Sequence, residues 1–232
     1  MAKIELLHGS NHIIEKPDIN IGNEKNDYGK GFYCTRQPEM AKEWACKNNT
    51  DGFANRYELE LDGLKVLDLV DGSHTVLNWI ALLLKHRTIS VAAEIAIDAK
   101  DYIIKNFSVD TSDYDIIIGY RADDSYFRYA ENFVSNALPL RSLSKALSLG
   151  KMGEQTVLVS QKAFDQLVFV DAEPVDKNMY YPKYADRDIK AREAYKKEIR
   201  ASKSYRDDIF VMDILRGEMQ NDDSRIQRII RK

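Results

Sequence analysis

Cysteine, histidine and proline are scarce in this chain, and long apolar runs are missing. Among 232 residues there are two cysteines, four histidines and five prolines. Cys34 and Cys46 lack metal-ligand spacing, and two thiols in a chain of this size suit a reducing compartment better than a disulfide framework. His8, His12, His74 and His86 do not group with cysteines or carboxylates as zinc ligands do, so no metal is expected. The most apolar stretch, residues 79–84, is far too short to cross a bilayer, and residues 1–10 hold no apolar run of signal-peptide length. The expectation is a cytoplasmic protein with no membrane contact.

What is present reads as ordinary globular composition, 44% hydrophobic and 31% charged. The length suits one full-sized domain with a small appendage, not two complete enzymes. A net charge of −3 is unevenly spread: residues 177–206 carry ten Lys or Arg against four Asp or Glu. That stretch is therefore +6 and the remainder about −9, an asymmetry that needs an explanation.

Residues 4–7 form a short apolar run ending at His8, Gly9 and Ser10, a strand that delivers its last side chain to a turn. After a polar loop over 20–27, residues 28–35 (YGKGFYCT) combine glycines with aromatic and small residues suited to a strand. Pro38 fits the first position of a helix in which Met40, Ala41, Trp44 and Ala45 recur at three- and four-residue spacing. Tyr57, Leu59 and Leu61 alternate with Glu58, Glu60 and Asp62 as in a half-buried strand, with 64–70 as its hairpin partner. Helices are predicted over 73–86, N-capped by Ser73, and over 90–107, together a helical insertion. Residues 115–119 read as a strand, and Asp123 and Asp124 as caps of a helix bearing Phe127, Tyr129, Phe133 and Val134. Strands at 156–160 and 168–170 flank a short helical turn, and from about 176 the chain becomes a charged, tyrosine-bearing helical tail.

Taken singly, these motifs are weak, because a lone histidine after a strand is more often a satisfied structural group. Their order carries more. The run Leu6-Leu7-His8-Gly9-Ser10, then Tyr28-Gly29-Lys30-Gly31-Phe32-Tyr33, then Ala41-Lys42-Glu43-Trp44-Ala45 resembles the poly(ADP-ribose) polymerase and diphtheria-toxin-like branch of ADP-ribosyltransferases. The chain also looks like a bacterial domain-of-unknown-function family assigned by similarity to that superfamily and encoded beside small antitoxin-like proteins, a likeness reaching about Val170. A Gln commonly opens a strand as the third element there, and Glu154-Gln155-Thr156-Val157-Leu158 fits.

The resemblance implies an NAD site. His8 would hold a hydroxyl of the adenosine ribose, an imidazole being able to do so without charge. The Gly9 backbone would read the nicotinamide carboxamide, with Ser10 beside it, and Tyr33 would stack on the nicotinamide ring. Trp44 would form the opposite wall, such stacking on a cationic ring being worth about 0.5–2 kcal/mol. Tyr33 and Trp44 as plain core remain the alternative. Gln155 would accept from the ribose as a neutral group, where hydrogen bonds are worth about 1 kcal/mol against roughly 1.5–3 for charged ones. A slower enzyme is expected, and a Gln155→Glu variant is expected to keep or raise its activity. An amide cannot serve as a base toward an incoming hydroxyl, which disfavours chain elongation. Ala41 departs from the family, where polymerases carry a Ser. Glu154 takes the third role if the strand register differs by one.

The reading is thus an α+β fold of the ADP-ribosyltransferase kind, two small packed β-sheets with NAD in the cleft between them. An NAD-binding domain over 1–172 carries a helical insertion near 73–110, and a basic helical C-terminal extension covers 173–232. The implied activity is mono-ADP-ribosyl transfer from NAD, as substrate, to an intracellular macromolecule. The chain would be the toxin of a toxin-antitoxin pair with a small antitoxin protein as partner. NAD hydrolysis in the same pocket and a non-catalytic binding module are the alternatives. The basic tail, with Lys183, Arg187, Lys190, Arg192, Lys196, Lys197 and Arg200, reads either as a solvated helix face or as a surface for an acidic partner.

Overall fold

A computed structural model describes residues 2–89, 94–122, 124–148, 153–201 and 205–230. In chain order the elements are β1 (Lys3–Ser10), β2 (Phe32–Cys34), α1 (Pro38–Ala45), β3 (Gly52–Glu60), β4 (Val66–Asp68), α2 (Val76–His86) and α3 (Glu94–Phe107). Then come β5 (Ile116–Tyr120), α4 (Asp124–Val134), α5 (Leu140–Ser148), β6 (Glu154–Leu158), α6 (Gln161–Asp165), β7 (Leu167–Val175), α7 (Lys177–Ala201), α8 (Val211–Arg216) and α9 (Ser224–Ile230). The fold is α+β. The strands make two small open sheets, one ordered β1-β3-β7 and the other β2-β6-β5-β4.

Alternation along β1 explains why two layers meet it. Leu6 joins a buried cluster with Phe32, Cys34, Tyr57, Leu59, Ile116, Leu158 and Phe164, which fills the space between the sheets. Leu7 points the other way, into a cluster with Ala41, Ala45, Cys46, Ala54 and Val175 under α1, as the two-residue period of a strand requires. Helix α1 comes close because Gly9 and Gly52 have no side chains. A Cβ on Gly9 would lie 2.0 Å from the Ala41 carbonyl oxygen and 2.6 Å from the Ala45 nitrogen, and one on Gly52 2.5 Å from the Ala45 carbonyl oxygen.

The expected strand end is found: His8, Gly9 and Ser10 are the last residues of β1, opposite Asn55, Ala54 and Phe53. Two local expectations are corrected. β3 and β4 do not form a hairpin: β3 lies between β1 and β7, while β4 pairs in parallel with β5. The alternation that begins at Tyr57 does belong to a strand, β3, but alternation does not say which strand lies alongside. The cap of α2 is Thr75, not Ser73: the Thr75 N–H donates to Asn78 Oδ1 at 2.8 Å and the Thr75 carbonyl accepts from the Asn78 N–H at 3.0 Å, so Asn78 supplies the side-chain half of a capping box. Ser73 instead closes a turn on Asp71. Of the predicted caps and helix starts, Asp123 and residues 90–93 lie outside the described residues.

By proximity the chain divides into two compact units. One holds the described residues within 1–68, 111–121 and 153–189, and therefore both sheets and α1. The other, helical, gathers those within 69–110, 122–152 and 190–232. The expected boundary at 172 falls inside β7. In the helical unit, Asn78 donates to the Phe107 carbonyl at 2.8 Å, and Leu77, Trp79, Ile80 and Leu83 are buried on α2. The late segment is tied into the same unit: Tyr102 donates to the Met219 carbonyl, and Arg141 pairs with Asp208 at 3.0 Å.

Candidate functional site

Residues of the β1 edge set the site. Leu7 exchanges both backbone bonds with Thr35, at 2.8 and 2.9 Å, so its N–H and C=O point away from β3 and toward the chain leaving β2. In an antiparallel ladder those directions repeat every second residue, so Gly9 presents its N–H and C=O on the same side. No backbone partner meets them there among the described residues. The edge therefore offers one donor and one acceptor in fixed register, which is the complement of a primary amide.

His8, between them, turns its side chain to the face shared by the two sheets. Its ring stacks on Phe32 with centroids 4.5 Å apart, and Nδ1 lies 2.7 Å from the Tyr33 carbonyl oxygen. A carbonyl only accepts, so Nδ1 carries the proton and Nε2 of the neutral ring is an acceptor. Burial lowers the His8 pKa to about 4, against the opposing effect of the Tyr33 bond, so the ring is neutral at pH 7. Asn55, fully buried opposite His8, donates to the His8 and His12 carbonyls and accepts from the Ile14 N–H at 2.9 Å. It pins the chain where β1 ends. Ser10 is half-buried, its Oγ 3.4 Å from His12 Nδ1.

Tyr33 and Gln155 lie on the other face of the second sheet. Tyr33 pairs with Val157, and Gln155 is two residues along β6, so the two share a face. The Tyr33 hydroxyl donates to the Gly29 carbonyl at 2.7 Å and accepts from the Tyr28 N–H at 3.0 Å, clamping the loop before β2. Gly29, at φ +78°, makes the turn that this clamp needs. Tyr28 in turn donates to the Tyr120 carbonyl at 2.8 Å and lies across Gly119, where a Cβ would come within 2.0 Å of its hydroxyl.

This clamp delivers Asp27 to Gln155. Gln155 Nε2 lies 3.0 Å from Asp27 Oδ2 and 3.4 Å from the Tyr120 carbonyl oxygen, and the two residues are 3% and 6% exposed. Glu154 is exposed, and as the preceding residue of β6 it takes the opposite face. Tyr33 is the hinge of the arrangement: its carbonyl meets His8 while its side chain belongs to the Gln155 face. The three side chains thus surround β2 without all touching.

Helix α1 supplies the remaining residues. Ala41 is fully buried against Gly9 and Leu7. Trp44 is half-buried, and the Arg121 guanidinium lies 5.1 Å over its ring. Trp44 Nε1 is buried with no hydrogen-bond partner among the described residues. Arg121, fixed by its N–H to the Gly153 carbonyl at 3.2 Å, makes no ion pair among the described residues. Nothing in the sequence pattern singled out Asp27, Asn55 or Arg121, which stand in loops, strands and strand ends without periodic signal.

The basic tail begins as part of the same unit. Lys183 pairs with Glu39 at 2.8 Å, and Arg187 pairs with Glu43, Nη2 donating to Oε1 at 2.7 Å and Nε lying 2.7 Å from Oε2 as a charge contact without a hydrogen bond. A shallow groove lined by Glu193, Lys196, Lys197 and Arg200 marks the distal part of α7; none of these four was expected in the NAD site. Both cysteines are buried, and burial pushes their thiol pKa values up, which makes them poor nucleophiles. Among the described residues, no three or more His, Cys, Asp or Glu side chains are grouped to hold a metal, and no helix is long and apolar enough to cross a membrane.

The fold is α+β with two small open sheets. Residues 4–169 match the model of the family described as "Protein of unknown function (DUF3990)", and the chain belongs to that family. The matched span runs from β1 into β7 and includes His8, Tyr33 and Gln155. No curated protein and no solved structure matches the chain.

Proposed function

We propose that this chain binds NAD along the β1 edge and transfers its ADP-ribose to an intracellular macromolecule. The observation that carries the reading is the Gly9 edge beside a neutral His8: one N–H and C=O pair without a backbone partner among the described residues, next to an imidazole whose Nε2 is an acceptor. The nicotinamide carboxamide has the matching acceptor and donor, and the adenosine ribose has hydroxyls to give to Nε2. Arg121, held over Trp44, is a suitable cation for the pyrophosphate, since a guanidinium matches phosphate oxygens in pairs.

Transfer breaks the bond between ribose C1′ and the nicotinamide nitrogen. The electron pair leaves with nicotinamide, which becomes neutral, and the acceptor atom bonds to C1′ and gives its proton to solvent. The protein's part is to orient the two halves of NAD and stabilise charge developing on the sugar. Gln155, with Nε2 committed to Asp27 and Tyr120, has Oε1 to accept from a ribose hydroxyl. It is no general base, which favours single additions over chains. The resemblance drawn from the motifs supports a toxin held by a small antitoxin protein in the cytoplasm.

A second reading is a non-catalytic NAD-binding module, favoured by the neutral Gln155 and by buried Ala41 at the family's Ser position. Labelled NAD incubated with the protein and cell lysate separates the outcomes. Label on macromolecules, lost in His8→Ala, is expected; free ADP-ribose alone would mean hydrolysis, and intact NAD would sink the transferase reading.

A further inference from the structure

We infer that Asp27 is the positioning residue for Gln155, fixing the direction of its amide and supplying the negative charge that the amide lacks. The inference rests on the NAD-transfer reading above and deepens it.

A buried carboxylate is costly unless it receives hydrogen bonds. Asp27 is 6% exposed, stands in a loop and meets the Gln155 amide nitrogen at 3.0 Å. The loop is not there by accident of packing. Tyr33 clamps Gly29 and Tyr28, and Tyr28 is anchored on the Tyr120 carbonyl across Gly119. The Tyr120 carbonyl is also the second acceptor of Gln155 Nε2. One backbone oxygen and one clamp thus hold the carboxylate and the amide in the same register.

Two consequences follow from acceptor chemistry alone. As a carboxylate Asp27 only accepts, as does the Tyr120 carbonyl, so with Asp27 ionised the amide does not turn over and Oε1 is directed away from both. The bond from Nε2 to a carboxylate is charge-assisted, and it draws amide electron density toward Oε1, which strengthens that oxygen as an acceptor. It also reverses the expectation for Gln155→Glu: a second carboxylate at that position would face Asp27 with no hydrogen to share, and like charges in a buried place repel.

The test is a charge-transposition cycle on the full-length chain: parent, D27N, Q155E and D27N/Q155E. NAD consumption is measured for kcat and KM, NAD affinity by calorimetry and folding by circular dichroism. An asparagine in place of Asp27 can still offer an oxygen to Gln155, so D27N removes charge with little change of shape. It should lower kcat about tenfold with KM within about twofold, the difference between a charge-assisted and a neutral bond. Q155E should lose at least as much, and the double variant, with donor and charge exchanged, should recover to within about threefold of the parent. If D27N alone does not fold, Q155E against the double variant decides. A D27N chain as fast as the parent, or a double variant no better than Q155E, overturns the inference while leaving NAD transfer intact. A parent that neither binds nor consumes NAD overturns both.

Discussion

At residue 8 an imidazole stacks on Phe32 and donates to the Tyr33 carbonyl, and burial keeps it neutral by lowering its pKa to about 4. The folded chain therefore binds fewer protons here than the unfolded chain, whose histidine titrates near 6.5. The sign follows from linkage: His8 favours folding fully above pH 6.5, and that contribution is lost as pH falls toward 4. Melting temperature between about pH 7.5 and 4.5 should fall more steeply for the parent than for His8→Gln, the gap reaching on the order of 2 kcal/mol. Parallel profiles would mean that the ring is not buried neutral. His8, Gly9 and Gln155 were legible in the sequence as motif residues. Asp27 was not, because its importance comes from a partner 128 positions away. Gly9 carries a double duty that its motif concealed: its missing side chain admits α1, while its backbone faces the open edge.

Among the elements, α1 is held from two sides, by β1 through Gly9 and by α7 through ion pairs. The two pairs differ in surroundings. Glu43 has 7% of its side chain exposed and Arg187 29%, whereas Glu39 and Lys183 are 60% and 47% exposed. A solvated pair contributes little, but removing one partner of a buried pair leaves the other charge stranded. In urea unfolding, Glu43→Ala should cost about 1–3 kcal/mol and Glu39→Ala less than about 1. Equal losses would contradict the difference in burial. These pairs also explain part of the charge asymmetry, since cations of the tail answer glutamates of α1. The period of two in β3 and the small-residue helix α1 could be read directly, because each depends on residues at short fixed spacing. The β3–β4 hairpin could not be judged that way, since a strand's period is the same whether its neighbour is β4 or β1.

For the whole molecule, the proposed binding of NAD to the folded chain alone predicts a stability that rises with the logarithm of free NAD above its dissociation constant. At about a hundredfold excess over the dissociation constant the gain is about 2.7 kcal/mol, a rise of several degrees in melting temperature for a chain of this size. Nicotinamide riboside, which lacks the pyrophosphate and the adenosine half, should give a smaller rise. Arg121→Ala should reduce the NAD effect and leave the nicotinamide riboside effect unchanged; an equal loss for both would remove Arg121 from the phosphate role. By itself, the sequence determined the α+β character, the helical nature of the tail and the order of the motif residues, all of which follow from patterns within a few positions. Only the tertiary structure decided that β4 runs parallel to β5, that late helices join the 69–110 stretch in one unit, and that Asp27 faces Gln155. Those are choices of partner between distant segments, fixed by which surfaces bury together and which polar groups find acceptors, and no local spacing encodes them.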